Sequence, residues 1–424
     1  MSKITQSHSV KKSLTEWLSY LENIHSVEID LGLQRIAKVA ERLNISFPNS
    51  KVVTVAGTNG KGTTCAFLEN ALLGQNKTCA VYSSPHIARF NERLRVNRSD
   101  IDDDALVTAF ERIEHARADI SLTYYEYTTL AAFLILMNKA PDVIILEVGL
   151  GGRLDATNII SADIAVITTI DLDHQAFLGD TREAIGFEKA GIMRLNAPVV
   201  IGDTDPPQSL AAHASNIGAI PYFRQQSFTV EESENDSWCW RYSETEFSEL
   251  GNCYIPQDNV ATALMVLALL TKPLSLQLSG NFINQIINQT KVPGRLEKFH
   301  DNCDIILDVG HNPQAARYLA QQLQKMKYNN VSAVIGMLSD KDIENSLKSI
   351  ASEIDTWYLG QLYLPRASSS KDMANTASKF ANAINCFDNV SQAFKIANHQ
   401  ASADDLILVF GSFFTVAEVR DLLV

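Results

Sequence analysis

The stretch Val52-Val-Thr-Val-Ala-Gly-Thr-Asn-Gly-Lys-Gly-Thr-Thr64 constrains this chain more than any other. A β-branched apolar run enters a turn rich in glycine, and the turn opens into a helix-forming segment. That order describes a strand delivering a phosphate cradle to a helix N-terminus. Backbone N–H groups of Gly57, Thr58, Asn59, Gly60 and Gly62 can point inward at an anion. Lys61 reaches phosphate oxygens, and a hydroxyl such as that of Thr63 can serve Mg²⁺. The match to the general pattern is imperfect. Gly62 separates the lysine from the first threonine, and Val55 stands where the first glycine of that pattern falls. A Gly-rich turn with no ligand is the bland alternative; the lysine and hydroxyls favour a nucleotide triphosphate site.

Around this feature, apolar runs without polar alternation recur at Val52–Ala56, Cys79–Tyr82, Val143–Val148, Ile164–Thr168 and Val199–Ile201. Such runs suit strands buried on both faces of a parallel sheet. Helical stretches at Thr63–Leu73, Asp103–Ala116, Glu126–Asn138 and Arg182–Ile192 lie between them, giving a βαβ succession. Residues 227–256 interrupt it with polar and aromatic residues, a small β-rich excursion, and helices Asn259–Leu270 and Gly280–Gln289 follow. Pro293 and Gly294 then stop the chain, and the alternation restarts at Ile305–Val309. It continues through a helix near Gln314–Met326, Val331–Ile335, helices near Ile343–Ala351, Met373–Ala383 and Val390–Ala397, and Leu406–Phe410, to a last helix from Ser412. Since 424 residues exceed what one core usually holds, two domains are expected. The fold class is α/β: a P-loop-type ATPase domain with a mainly parallel sheet at 1–290, a linker at 291–298, and a smaller Rossmann-like α/β domain at 299–424. The polar first ~12 residues are expected to fray.

A formal charge of −13 argues against a broad nucleic-acid surface. The six cysteines show no metal-like spacing and read as reduced thiols, and no apolar run reaches the ~20 residues of a bilayer span. A soluble cytoplasmic protein without nucleic-acid or membrane partners is expected, and as a monomer.

Several polar groups fall where α/β sheets bind ligands. Glu147 ends an apolar strand beside Gly149-Leu-Gly-Gly152, which suits a Mg²⁺ ligand working with the phosphate loop; a loop-bonding acid is the alternative. His174 follows another strand, and a second metal there competes with a purely structural histidine. Lys189 lies on a helical segment beside Glu188, where a surface pair is the common fate. Arg89, Arg93, Arg95 and Arg98 crowd a short stretch of an acidic chain, either as a solvated face or as a site for a carboxylate-bearing substrate. Asp308 and His311 mark a strand-to-helix corner with Pro313 at the helix start, and Arg295 in the linker can span the cleft to nucleotide phosphates.

Taken in order, these segments resemble the dihydrofolate synthase/folylpolyglutamate synthase family, relatives of the Mur ligases. The resemblance rests on Gly57-Thr-Asn-Gly-Lys-Gly62, Ser83-Ser-Pro-His86, Glu147-Val-Gly-Leu-Gly-Gly-Arg-Leu-Asp155, Asp173-His174, Glu188-Lys-Ala-Gly-Ile192, Pro293-Gly-Arg295 and Asp308-Val-Gly-His-Asn-Pro313. Gly336-Met-Leu-Ser-Asp-Lys-Asp342 and Pro365-Arg-Ala367 are similar to family segments too. Each segment is weak alone and the ordered set is specific. The resemblance implies ATP, two Mg²⁺ sites and amide formation between L-glutamate and dihydropteroate or a reduced folate. It implies that Ser84 and Glu147 hold one Mg²⁺, that His174 belongs to a second, and that Lys189 is a carbamate. It assigns Asn259, Arg295 and Asp308 to the nucleotide. It assigns Leu31, Gly32, Leu33, Thr123, Tyr124, Tyr125, Glu126, Leu154, Asp155 and Ala156 to the pteridine-bearing substrate. His311 is the residue to test as the base, Arg89 the arginine to test on the substrate carboxylate. Folylpolyglutamate synthesis alone, a P-loop phosphotransferase and a nucleotide-sensing module are the competing functions.

Overall fold

The computed structural model describes residues 12–27, 29–233, 237–381 and 383–424, so the opening expected to fray lies outside it up to residue 11. Eight strands form the first sheet: β1 (Lys51–Ala56), β2 (Cys79–Tyr82), β3 (Leu94–Val96), β4 (Ser99–Asp100), β5 (Val143–Glu147), β6 (Ile164–Ile167), β7 (Pro198–Ile201) and β8 (Ile220–Phe223). Their order is β4-β3-β2-β5-β1-β6-β7-β8, with six strands parallel and β3 and β4 antiparallel at one edge. The central strands are buried on both faces, which is why their sequences do not alternate. Strand β1 sits between β5 and β6, so connections leave on both sides of it. That is the switch point at which an α/β sheet opens a crevice beyond its strand ends.

Helices Lys61–Gly74 and Gln257–Leu274 share one core with one face of this sheet. Helices Asp103–Arg117 and Tyr124–Lys139 share the other. Two helices that the apolar pattern did not single out, Leu14–Glu22 and Gln34–Arg42, complete that second layer. The first begins at a capping box, in which Ser13 and Glu16 satisfy each other's backbone N–H groups. The expected β-rich excursion is a three-stranded antiparallel sheet of β9 (Phe228–Glu232), β10 (Trp238–Tyr242) and β11 (Thr245–Leu250). Its Trp240 stacks on Phe247 and donates its indole N–H to the Ala261 carbonyl at 3.1 Å, tying it to the helix that carries Asn259.

The second sheet holds β12 (Glu297–His300), β13 (Asp304–Asp308), β14 (Val331–Ile335), β15 (Thr356–Gly360), β16 (Ile384–Phe387) and β17 (Leu406–Phe410), ordered β12-β13-β17-β14-β15-β16. All its pairings are parallel except that of β12 with β13. Glu297 and Lys298, expected in the linker, therefore pair with Leu307 and Ile306 as part of an edge strand. The helix expected over 373–383 runs Ser370–Ala377, because the chain beyond it turns back to supply β16. Among the described residues no helix is long and apolar enough to cross a membrane.

Candidate active site

Strand β1 ends in the phosphate loop, and two of its glycines are required by their surroundings. A Cβ on Gly57 would lie 1.8 Å from the Thr168 hydroxyl; one on Gly60, whose φ is +86°, would lie 2.4 Å from the Asn259 amide oxygen. Thr168 donates its hydroxyl to the Asn59 carbonyl at 2.6 Å, and the Thr58 N–H bonds Thr169, which pins the loop to the end of β6. Gly60 then starts the helix Lys61–Gly74 with no side chain capping it. Lys61 donates to the Gly57 and Thr58 carbonyls at 3.0 and 3.3 Å. Burial lowers its pKa, while Glu147 and Asp173 pull the other way. Gly62 turns its bare Cα toward Glu147, whose carboxylate oxygens lie 3.8 and 3.9 Å from where a Cβ would stand. The glycine that looked out of place in the sequence opens the path between loop and acid.

Glu147 ends β5 and pairs in register with Val55 of β1. Burial raises its pKa, offset by Lys61, Arg295 and Arg95 and by the Ser84 N–H. Ser84 lies at the same corner, its hydroxyl 3.3 Å from the Cβ position of Gly149. One carboxylate and one hydroxyl beside a phosphate loop fit Mg²⁺, which keeps waters and shares phosphate oxygens rather than filling an all-protein cage. Accordingly, no three His, Cys, Asp or Glu side chains gather as a metal cage among the described residues. Lys189 is buried on the helix Arg182–Ala190 and donates to the Gly57 carbonyl at 3.0 Å. Burial, assisted by the Lys61 charge, pushes its pKa down to about 7. As an ammonium, Lys189 is no metal ligand; as a carbamate it is an anionic oxygen donor. His174 stands in the left-handed region at φ +51°, and burial pushes it down to about 4, a neutral imidazole whose Nε2 lies 3.4 Å from the Lys341 ammonium.

The second domain closes the cleft from across. Asp308 ends β13, buried, accepting the Leu296 and Gly310 N–H groups at 3.0 and 2.8 Å. Burial raises its pKa and Arg295 opposes that. Between the domains lies a cavity lined by Asn59, Gly60, Asn259, Arg295, Asp308 and Tyr318, among others. His311 places Nδ1 at 2.8 Å from the Val309 carbonyl, so that nitrogen carries the proton, and Nε2 faces Asp173 at 3.6 Å. Asn59 and Asn312 exchange reciprocal amide hydrogen bonds at 3.0 Å across the cleft. Lys341 reaches Asp173 at 2.8 Å, and Arg317 reaches Asp171 at 2.7 Å. Burial raises the Asp173 pKa, but His311, Lys341 and His174 together outweigh it and hold the carboxyl well below the usual range. Asp173, Asn312 and Lys341 stand in the quoted family segments without a role of their own, and Gln314 only as a helix start. The partners that give them a role across the cleft lie more than a hundred residues away.

The residues nominated for the pteridine-bearing substrate divide by task. The Asp155 carboxylate is occupied by the N–H groups of Gly149, Leu150 and Thr157 and the Thr157 hydroxyl. Thr123 and Glu126 close a capping box, and Glu126 also meets Arg35 at 3.3 Å. Tyr124 and Tyr125 are both half-buried, the Tyr125 hydroxyl 3.5 Å from Asp155. Leu31, Gly32 and Leu33 are half-buried ahead of the helix Gln34–Arg42, and Leu154 and Ala156 flank Asp155. The arginine-rich stretch is not one cluster. Arg95 and Arg98 bond Glu69 and Asn70 of the helix behind the phosphate loop, and Arg89 is 69% exposed with a 3.8 Å contact to Asp103.

Family models for the Mur ligase middle domain and the Mur ligase glutamate ligase domain match residues 55–222 and 294–413. A dihydrofolate synthase/folylpolyglutamate synthase of Escherichia coli (strain K12) is 42% identical over 421 residues, covering 99% of this chain and 98% of its own. The fold is similar to that of E. coli FolC in complex with DHPP and ADP, with a TM-score of 0.92, 43% identity and 97% of each chain covered. It is also similar to a bifunctional folylpolyglutamate synthase/dihydrofolate synthase with Mn, AMPPNP and L-glutamate bound, with a TM-score of 0.90, 42% identity and coverage of 97% and 98%.

Proposed function

The chain belongs to the dihydrofolate synthase/folylpolyglutamate synthase family of Mur ligases, and we infer from its cleft how it works as an ATP-dependent acid–amino-acid ligase. It adds L-glutamate to dihydropteroate, giving dihydrofolate, and to the γ-carboxyl of reduced folates. The observation that carries the site reading is the meeting of the uncapped loop at Gly60 with the second domain's Asp308–Gln314 corner, joined through Asn59 and Asn312.

A carboxylate is a poor electrophile. Its oxygen therefore attacks the γ-phosphorus of ATP and ADP leaves; the glutamate amine then attacks the acyl carbon and phosphate leaves. The loop N–H groups and Lys61 hold the phosphates, where catalysis is mostly positioning and charge compensation. Glu147 and Ser84 would hold Mg²⁺, which would supply further neutralisation of the transferring group. Asn259, bonded to Thr63 at 2.8 Å, and Arg295 and Asp308 form the nucleotide wall. His311 has Nδ1 on the Val309 carbonyl and Nε2 on Asp173, so for it to take the amine proton Nε2 must first leave Asp173. The closed cleft keeps water from the acyl phosphate.

Lys189 becomes a carbamate when its neutral amine adds to the carbon of CO₂ and gives up one proton to solvent, to which the low pKa of this buried group disposes it. The carbamate nitrogen keeps one hydrogen for the Gly57 carbonyl. Isotope-labelled bicarbonate should give a carbamate carbon resonance that Lys189→Ala abolishes; a plain lysine in active enzyme would end this assignment. The six cysteines are free, in keeping with a reducing cytoplasm, and one chain supplies both walls of the cleft, in keeping with a monomer. The central test is ADP release. It should require both a pteroate-type acid and L-glutamate, whereas release with the acid alone and a phosphorylated product would point to a phosphotransferase.

A further inference from the structure

Of the four arginines in the stretch 89–98, one remains to be accounted for. Arg93 donates its Nε–H to Nδ1 of His86 at 2.9 Å, and its guanidinium carbon lies 5.6 Å from the ring centroids of both Phe90 and Tyr124. Burial and the Arg93 charge lower the His86 pKa, so the imidazole stays neutral and able to accept. No carboxylate among the described residues pairs with Arg93, although its neighbours Arg89 and Arg95 meet Asp103 and Glu69. Both terminal nitrogens are thus without a partner there, on a half-buried side chain in a strongly acidic protein. An arginine fixed through Nε and backed by aromatic rings presents the planar fork that binds a carboxylate in two hydrogen bonds.

Position narrows which carboxylate. The Ser83 N–H donates to the Arg93 carbonyl at 2.9 Å, so the residue is stitched to the strand end that leads into Ser84. The Arg93 guanidinium stands over Phe90 and Tyr124, whereas Arg95, the arginine of this stretch that acts on Glu147, is held by Glu69. Arg93 therefore belongs to the acid-substrate side and not to the phosphoryl-transfer corner where the reacting carboxyl must sit. A folate tail carries a second carboxylate, the α-carboxylate, a few bonds from the reacting γ-carboxyl. Dihydropteroate has the reacting carboxyl alone.

We propose that Arg93, oriented by His86, binds the α-carboxylate of the terminal glutamate of a folate acceptor and so favours folates over dihydropteroate. This rests on the reading of Tyr124 and Tyr125 as contacts of the acid substrate. The test measures kcat/KM of wild type and Arg93→Gln with dihydropteroate, tetrahydrofolate, and a tetrahydropteroyl analogue bearing γ-aminobutyrate in place of glutamate. The ratio of tetrahydrofolate to dihydropteroate specificity should fall about tenfold or more in the variant, chiefly through KM, as loss of a charge-assisted bidentate contact predicts. Wild type should lose as much on the analogue, and the variant should show little further loss on it. An unchanged ratio, or an analogue that wild type uses as well as tetrahydrofolate, overturns the proposal. If Arg93→Gln does not fold, the wild-type comparison of analogue with tetrahydrofolate decides alone. Wild type that glutamylates neither acid removes the ligase reading and this proposal with it.

Discussion

Two corners of this molecule look alike on paper and are built to opposite ends. Each follows a buried parallel strand, β1 or β13, and each turns into a helix at the edge of the cleft. At the first, Gly60 caps the helix with no side chain, and Gly60, Gly62 and Thr63 line the cavity while Lys61 folds back onto the Gly57 and Thr58 carbonyls. At the second, Asn312 caps the Ala315 N–H at 3.0 Å, Pro313 has no N–H to satisfy, and Asp308 absorbs the Gly310 and Leu296 N–H groups. One corner keeps its hydrogen-bonding capacity for an anion. The other spends that capacity on its own backbone and projects His311, Asn312 and Gln314 across the gap. A strand-to-helix corner thus cradles an anion on its own backbone only when its donors are left over.

That contrast can be attacked from both sides. The largest effect is expected from Lys61→Ala, which should lower kcat about a thousandfold, since one charged donor to a transferring phosphoryl group is worth that order. Its thermal unfolding should stay near wild type, and a turnover close to normal would remove the first corner's distinction. Next is Gly60→Ala, whose added Cβ meets the Asn259 amide at 2.4 Å in a left-handed backbone. Misplacing the loop should lower kcat/KM about a hundredfold, with about 1–3 kcal/mol of stability lost to strain, read by activity and denaturant melts together. At the second corner the order should invert. Asn312→Ala should cost about 1–2 kcal/mol through its cap while leaving nucleotide affinity within severalfold, as checked by chemical denaturation and ADP titration. The smallest effect is expected from Arg317→Ala. Its pair with Asp171 joins the domains, but the arginine is 52% exposed, so the stability change should stay under about 1 kcal/mol and shrink in salt. A large loss there would mean that the cleft is held by charge more than by its buried amides.

The first corner was legible in the sequence because its chemistry is local: glycines, a lysine and hydroxyls within one turn of an apolar strand. The alternation of both sheets was legible for the same reason, each strand being buried on both faces. What escaped depends on distance or on exposure. Strands β8 and β16 are short edge strands with exposed positions, and β8 carries Pro221, so neither shows a continuous apolar run. The helix at Leu14 is marked in sequence by its Ser13–Glu16 capping box but carries no long apolar stripe. Arg95 and Arg98 read in sequence as candidates for substrate, but their guanidinium groups bond Glu69 and Asn70, 26 and 28 residues away. Lys341 and Asp173 stand 168 residues apart, a pairing that exists only once two domains have folded and met.

The reciprocal amide pair of Asn59 and Asn312 has a thermodynamic corollary. It joins the phosphate loop to the second domain's corner, so under the proposed function the gap it closes is common to nucleotide and glutamate binding. Whatever factor by which nucleotide improves the affinity for glutamate, glutamate must improve that for nucleotide by the same factor, because the coupling belongs to the cycle and not to either ligand. Breaking the pair with Asn59→Ala or Asn312→Ala should therefore erode both affinities' mutual dependence by equal amounts, even though each residue sits in a different domain.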